Sequence, residues 1–309
     1  MKLCTPGFFC VGAQKSGTTA LHHHLSRHPG VFLPSVKETH FFDDGHGEWS
    51  LGIAHYLATY FGGAPKDALV GEIDPEYLFF PEVPARLAQH FPDAKLIFIL
   101  REPVSRAYSH YWMTVRRGRE PLDFVDALDA ESERMHGDHL SQSDFSYTRR
   151  GFYFEQVSRY LTYFPRGNLF FLLAEDLKRE PQETLCRIYE FLDLPPMPYE
   201  PISEEESHHA YMPVSMGFQS LLDEKSGIKS VAKALLPVKV RRPMMDLMWR
   251  IQARNRKPFM APAIAPELRA RLRDHFAADI RQLQELIGRD LGHWLAERPS
   301  DVARRASQR

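Results

Sequence analysis

The stretch from Phe8 to Leu21 constrains this chain more than any other. Phe8-Phe9-Cys10-Val11 is a short apolar run that reads as a buried strand. Gly12-Ala13-Gln14-Lys15-Ser16-Gly17-Thr18-Thr19 is a loop of small and polar residues, and Ala20 to Leu25 reads as a helix ending near His28-Pro29-Gly30. Strand, small-residue loop and helix in that order form a phosphate cradle. Backbone N–H groups at the helix start point into the loop, and the helix dipole favours an anion there. Gly12 and Gly17 carry the spacing of a P-loop, and Thr19 stands where that motif has its Ser or Thr. Thr18, however, occupies the lysine position, and the lysine of this loop, Lys15, precedes the second glycine. The match to a nucleoside triphosphatase is therefore poor. Taken alone, the loop also reads as an ordinary Gly/Ser turn.

With 309 residues the chain is long enough to bury a large core, as one large or two small domains. Its 43% hydrophobic and 26% charged residues are ordinary for a globular protein, and a net charge of −1 gives no global attraction to nucleic acid. No run approaches the ~18 apolar residues of a membrane span. The start of the chain shows no charged-then-apolar leader. The expectation is a cytoplasmic chain without stable membrane insertion. Three cysteines, Cys4, Cys10 and Cys186, form no even framework; Cys10 and Cys186 fall in apolar patterns and are expected to be reduced. Consecutive His22, His23 and His24 point in different directions on a helix, and His208-His209 lacks spaced partners. No metal site is expected.

A second strand is clearer still. Ala94-Lys95-Leu96-Ile97-Phe98-Ile99-Leu100 is almost continuously apolar, as in a parallel strand covered on both faces. It ends at Arg101, and ligands of open α/β sheets bind at strand carboxyl ends. A guanidinium there can grip a phosphate through two parallel hydrogen bonds. Pro103 marks a helix start, and Ser109 lies about two helical turns on. Between the two strands, Lys37-Glu38-Thr39-His40-Phe41-Phe42-Asp43 gathers charged and aromatic residues. A hydroxyl is a poor nucleophile at neutral pH unless a placed carboxylate or imidazole takes its proton. Glu38 suits that role, with His40 as helper or alternative base; the plainer reading pairs Glu38 with Lys37 or Lys15. Arg116-Arg117-Gly118-Arg119 is a basic cluster that reads either as facing an anionic acceptor or, more plainly, as a solvated loop. Further strands are expected at 68–72 and 168–173, and helices over 49–61, 84–91, 155–164, 181–192 and 265–286.

The loop with its internal lysine, the Lys37 to Phe42 segment and the Arg101 to Ser109 segment occur in the order K-x-G-T-T, K-E-x-H-F-F, R-x-P-x-x-R-x-x-S. Together they resemble the sulfotransferases that use 3′-phosphoadenosine 5′-phosphosulfate (PAPS), especially the heparan-type carbohydrate enzymes. Leu291-Gly292-His293-Trp294-Leu295 is similar to the close of bacterial members. The resemblance implies that Lys15, Ser16, Gly17, Thr18 and Thr19 bind the 5′-phosphosulfate, with Lys15 on the phosphate that bridges to the sulfuryl group. It implies that Arg101 and Ser109 bind the 3′-phosphate, that Glu38 is the base and that His40 lies nearby. Gly71-Glu72-Ile73-Asp74-Pro75-Glu76-Tyr77 resembles the family's G-E-K-[ST]-P-x-Y segment, which faces the acceptor. Ile73 replaces the lysine and Asp74 the Ser/Thr, which argues against a polyanionic sugar. Glu72, Asp74 and Tyr77 read either as acceptor-pocket lining or as strand-end structure. Gly151-Phe152-Tyr153 resembles a G-x-Y segment near the nucleotide, making Arg150 and Tyr153 candidates. Glu175-Asp176-Leu177 resembles a scaffold motif, and the family's late K-G-x nucleotide loop has no clear counterpart.

These readings predict an α/β fold with a central, mostly parallel sheet flanked by helices, of the P-loop-like sulfotransferase kind. They predict one domain over 1–298, with a basic, Met-rich, lid-like insertion at 226–262, and a polar tail at 299–309. The expected function is in-line transfer of the sulfuryl group from PAPS to a hydroxyl of a small or lipid-like alcohol or a glycan, releasing 3′-phosphoadenosine 5′-phosphate (PAP) without a metal. A P-loop kinase or NTPase is the alternative; it calls for Mg²⁺ and an acidic ligand after a second strand, where this chain has Arg101. A nucleotide- or sulfate-binding module without catalysis is a third. The sequence does not specify the acceptor or the oligomeric state.

Overall fold

A computed structural model describes residues 4–202, 211–213 and 256–297. Most of the 226–262 insertion, the His208-His209 pair and the 299–309 tail lie outside the described residues. The elements run in chain order as β1 (Phe8–Gly12), α1 (Thr18–Arg27), β2 (Val31–Phe32), α2 (Gly52–Phe61), β3 (Leu69–Ile73), α3 (Val83–His90), β4 (Lys95–Leu100) and α4 (Pro103–Arg116). There follow α5 (Phe124–Asp129), α6 (Glu131–Arg134), α7 (His139–Phe145), α8 (Tyr153–Leu161), β5 (Leu169–Leu173), α9 (Ala174–Arg179) and α10 (Pro181–Phe191). Short strands β6 (Tyr211–Pro213) and β7 (Arg256–Pro258) precede α11 (Pro266–Ile287) and α12 (Gly292–Leu295). Two compact units result: Met1–Ala107, Thr148–Ile202 and Ala265–Arg309 form the first, Tyr108–Tyr147 and Ser203–Ile264 the second.

The first unit is built on a five-stranded sheet in the order β2-β3-β1-β4-β5. Every pairing is parallel: Phe8 of β1 sits opposite Gly71 of β3 on one side and Lys95 of β4 on the other. The apolar runs dictate this. All five residues of β1 are buried, as is β4 after Lys95, so both sheet faces must be covered by the crossover segments that parallel pairing requires. Alternation along the strands assigns the faces. Phe8, Cys10, Ile73, Ile97, Ile99 and Leu172 pack with Leu21 and Leu25 of α1 and with Leu185 and Ile188 of α10. Phe9 turns the other way, onto Phe42 and Phe91. Phe98 does the same, onto Tyr160 and Phe171.

The strand order also positions the site. After β1 the chain leaves for β2 and β3 on one side, then crosses to β4 on the other. The carboxyl ends of β1 and β4 are thus adjacent at the point where the winding reverses, the place where such sheets bind ligands. The loop after β1 is gripped from both sides. Ala13 N–H donates to Ile99 C=O at 2.7 Å, and Asp74 and Leu78 N–H donate to Cys10 and Val11 C=O at 3.0 and 2.7 Å.

Helix α1 begins at Thr18, two residues before the sequence pattern implies. The expected helix over 49–61 is a 3₁₀ turn at Trp49–Leu51 followed by α2, broken at Gly52, whose φ is 81°. Asp279 of α11 accepts from Tyr153 and Phe154 N–H at 2.9 and 3.1 Å, so one helix caps the start of another. In the second unit, Tyr111 and Phe124 pack at 5.1 Å between centroids and Trp112 meets Phe259 at 4.8 Å. Arg119 there is not a solvated loop cation: it donates to both oxygens of the buried Asp144, at 3.0 and 2.7 Å. The thiols of Cys4, Cys10 and Cys186 are all free, and burial pushes that of Cys10 up to about 12. Among the described residues no helix is long and apolar enough to cross a membrane.

Candidate active site

Two glycines shape the loop after β1 for different reasons. A Cβ on Gly12 would meet Leu78 Cβ at 2.7 Å and Pro75 C=O at 3.1 Å, so the backbone passes where no side chain fits. Gly17 has open space around it but a φ of 109°, which L side chains rarely adopt. Gly17 is the residue preceding α1, and no side chain caps the helix there; its first turn holds no acidic residue. The N–H groups of Thr18 and Thr19 are therefore left to an incoming anion.

The loop brings together most of the residues the sequence nominates for the nucleotide. Arg101 Nη1 donates to Lys15 C=O at 2.9 Å. Tyr153 O–H donates to Arg101 C=O at 2.9 Å. The buried Ser16 hydroxyl faces the Tyr153 phenol, which burial pushes up to about 12. Lys15, Ser16, Arg101 and Tyr153 thus form one connected set around the β1 and β4 ends, with Arg106 fully buried beside Tyr153. Glu102 caps α4, accepting from Val104 and Ser105 N–H at 3.0 Å each. Ser109 lies half-buried on α4 and falls in the second unit.

Arg150, a nucleotide candidate in the sequence, is held by a carboxylate. Its guanidinium is bonded to Glu76 at 2.5 Å and stacks over Phe79 at 4.3 Å, and Glu76 in turn accepts from Gln14 of the loop. Both charges are buried, at 2% exposure each. Removing one partner of such a pair leaves the other charge uncompensated. Glu76→Ala is expected to cost about 3–5 kcal/mol of folding stability, read by denaturant unfolding. A loss under about 1 kcal/mol would show that water or another group takes over.

The second constellation is the turn at 37–43. Lys37 and Glu38 are ion-paired to each other, each side chain partly open to solvent. The turn is strained: Glu38 has φ 64° and His40 φ 53°. With Lys15 at 69° they are three of the five non-glycine residues at positive φ among the described residues. Such backbone outliers cost about 1–3 kcal/mol each and concentrate at functional sites. The turn rests on a buried polar floor. Thr39 O–H donates to Glu72 at 2.5 Å and shares a 3.1 Å bond with Tyr77 O–H; Tyr56 O–H also donates to Glu72. Burial raises the Glu72 carboxyl against the pull of these three hydroxyls. Phe41 stacks on Tyr56 at 4.6 Å, closing the floor.

His40 lies among carboxylates, with Nδ1 3.1 Å from Asp43 and 3.8 Å from Asp74. Burial alone would lower its imidazole; Asp74 and Asp43 outweigh burial and push it up to about 10. Among the described residues these three are the one group whose donor atoms, all within 4.8 Å, match a metal's needs. Glu72, Asp74 and Tyr77 are essentially unexposed, so of the two readings open to them, they form the floor of the turn. Glu76, Thr39 and Tyr56 carry no motif signal; their roles come from distant partners.

A parallel 2-3-1-4-5 sheet, an uncapped helix start after β1 and cations on the β1 and β4 loops define a phosphate-binding α/β fold of the P-loop-like kind. Residues 5–226 match the family described as sulfotransferase domain, and the chain belongs to that family of sulfuryl-transferring enzymes. Mouse heparan sulfate glucosamine 3-O-sulfotransferase 3B1 is 27% identical over 93% of this chain and 64% of its own length. The mouse 3A1 enzyme is likewise 27% identical and matched over 64% of its length, so the chain spans less than two-thirds of these relatives. The crystal structure of a sulfotransferase from Alicyclobacillus acidocaldarius superposes with a TM-score of 0.66 at 29% identity, covering 95% of this chain and all (100%) of that one.

Proposed function

We propose that the protein transfers the sulfuryl group of PAPS to a hydroxyl, giving a sulfate ester and PAP. The observation that carries this reading is the bond from Arg101 to the Lys15 carbonyl at the adjacent β1 and β4 ends. It holds the Arg101 guanidinium against the lysine-bearing loop, next to an uncapped helix start, which suits a ligand with two separate phosphates. Glu38 takes the proton of the acceptor hydroxyl. The oxygen attacks sulfur in line, the bond from sulfur to the bridging phosphate oxygen breaks, and that oxygen leaves with its electron pair on PAP. Lys15 and the N–H groups of Thr18 and Thr19 stabilise the charge that develops on the leaving phosphate. Arg101 holds the 3′-phosphate and so orients the donor. These positive groups take the part that Mg²⁺ plays in NTP enzymes.

The acceptor side supports an uncharged alcohol or simple glycan over a polyanion. Ile73, where the family pattern has lysine, is buried in the apolar core. On the described 37–43 turn, Lys37 is paired with Glu38 and His40 lies against Asp43 and Asp74. The test is calorimetric titration with PAP without metal and with ADP plus Mg²⁺, followed by labelled PAPS with a neutral glycoside and with a heparan-type polysaccharide. Metal-independent PAP binding and transfer to the neutral acceptor are expected. Binding of Mg-ADP without PAP would replace this reading with a P-loop kinase, and preference for the polyanion would overturn the acceptor assignment.

A further inference from the structure

Helix α11 turns one stripe towards the rest of the first unit, and Pro266, Leu272, Phe276, Ile280, Leu283 and Ile287 are buried along it. Arg269 lies on that stripe, three residues after Pro266 and three before Leu272, spacings that place side chains on one helix face. Its side chain is 15% exposed, so it is not a solvated surface cation. Packing alone would be served by an apolar residue at this position, as at Leu272 and Phe276 further along the stripe. Another charged member of the stripe, Asp279, holds the start of α8. Arg269 does the same for the start of α4: Nη1 lies 3.5 Å from Oε2 of Glu102, whose side chain is 12% exposed. Helix α11 and the first residue of α4 approach closely there. A Cβ on Gly151 would lie 2.8 Å from the Phe276 ring and 3.1 Å from Pro103 Cβ.

Glu102 directly follows Arg101, the residue to which the proposed mechanism gives the 3′-phosphate. Its carboxylate is fixed in place: it accepts from Val104 and Ser105 N–H at 3.0 Å each and from the Ser105 hydroxyl at 2.5 Å. A carboxylate held beside a phosphate site and largely shielded from water repels the incoming anion. We propose that Arg269 is a positioning residue for the donor: paired with Glu102, it cancels that repulsion at the Arg101 end of the cradle and leaves the Arg101 guanidinium to the phosphate. Arg269 acts through Glu102 and does not itself touch the nucleotide. This assignment rests on the reading of Arg101 as the 3′-phosphate ligand.

The experiment is calorimetric titration of PAP at low salt into the full chain as wild type, Arg269→Gln, Glu102→Gln and the double variant, with Arg269→Lys as the conservative change. Arg269→Gln is expected to weaken PAP binding by about fivefold or more, an effect that shrinks as salt screens the charges. Arg269→Lys stays within about threefold of wild type, because the role needs the charge and not the planar fork. Glu102→Gln keeps an oxygen for the α4 N–H groups and binds PAP at least as tightly as wild type. Adding Arg269→Gln to it then changes the affinity by less than about twofold. That restoration is decisive. If Arg269 only braced α4, or gripped the phosphate itself, the double variant would stay as weak as Arg269→Gln, and the proposal would be overturned. A loss of more than about threefold in Glu102→Gln alone overturns it too, whether or not the Arg269 variants fold. Wild type that fails to bind PAP removes the PAPS reading and this assignment with it, whereas wild type that binds PAP beside an unrestored double variant removes this assignment alone.

Discussion

Replacing Glu38 with glutamine is expected to lower kcat for sulfuryl transfer by roughly 10²–10⁴-fold, the range lost when a positioned general base is removed. The amide keeps the shape of the side chain and an oxygen for Lys37, its partner in the structure. It cannot accept a proton. The strained backbone at this position is already borne by a non-glycine residue, with φ 64°, so the substitution adds no conformational cost. PAP affinity should change by less than about twofold, because the donor set of Lys15 and Arg101 lies at the β1 and β4 ends and not on this turn. Steady-state kinetics with calorimetry separates the two effects. His40→Gln is the necessary comparison: it removes the ring beside Asp43 and Asp74 but keeps the backbone N–H that Asp74 accepts, and it should lower the rate less than Glu38→Gln. A Glu38→Gln enzyme within about tenfold of wild type would place the base elsewhere.

Lys15→Ala carries the other large effect. Lys15 sits at φ 69° in a loop held by Arg101, which donates to the Lys15 carbonyl, and by Ala13 N–H on Ile99, so the backbone that carries the lysine is fixed. A charged group aimed at a leaving oxygen contributes more in the transition state than in the bound state. The expected losses are about 10²–10³-fold in kcat and about 10-fold or more in PAP affinity, as for a hydrogen bond to a charged group. Because the Lys15 contact to Arg101 runs through the backbone carbonyl, alanine preserves the loop, and the unfolding midpoint should stay within about 0.5 kcal/mol of wild type. Unchanged PAP affinity together with unchanged kcat would show that the loop lysine does not touch the donor. Full activity with lost stability would show a structural lysine.

The site was legible in the sequence where function depends on residues close together in the chain. The loop from Gly12 to Thr19, the Lys37 to Asp43 turn and the Arg101 to Ser109 segment each announce themselves through local spacing. What holds them in place was not legible. Glu76 meets Gln14 at a separation of 62 residues and Arg150 at 74; Glu72 meets Thr39 at 33 and Tyr56 at 16. A carboxylate on an apolar strand end looks the same in sequence whether it faces an acceptor or a buried hydroxyl. Arg150, beside a nucleotide segment in sequence, is paired in space with Glu76, a partner the motif did not announce. Arg119, read as a solvated cation, is bound to Asp144, 25 residues on.

By itself, the sequence determined the local chemistry: apolar runs that must be covered on both faces, glycines at the two backbone positions that need them, and cations at the ends of the two best strands. Hydrophobic periodicity and turn chemistry act over a few residues, so they can be read without a fold. Only the tertiary structure decided that β1 and β4 are neighbours, that Arg101 therefore reaches the Lys15 carbonyl, and that His40 lies between Asp43 and Asp74. Those facts follow from strand order and from burial, which choose partners far apart in the chain and turn ordinary side chains into a braced floor and a histidine enclosed by carboxylates.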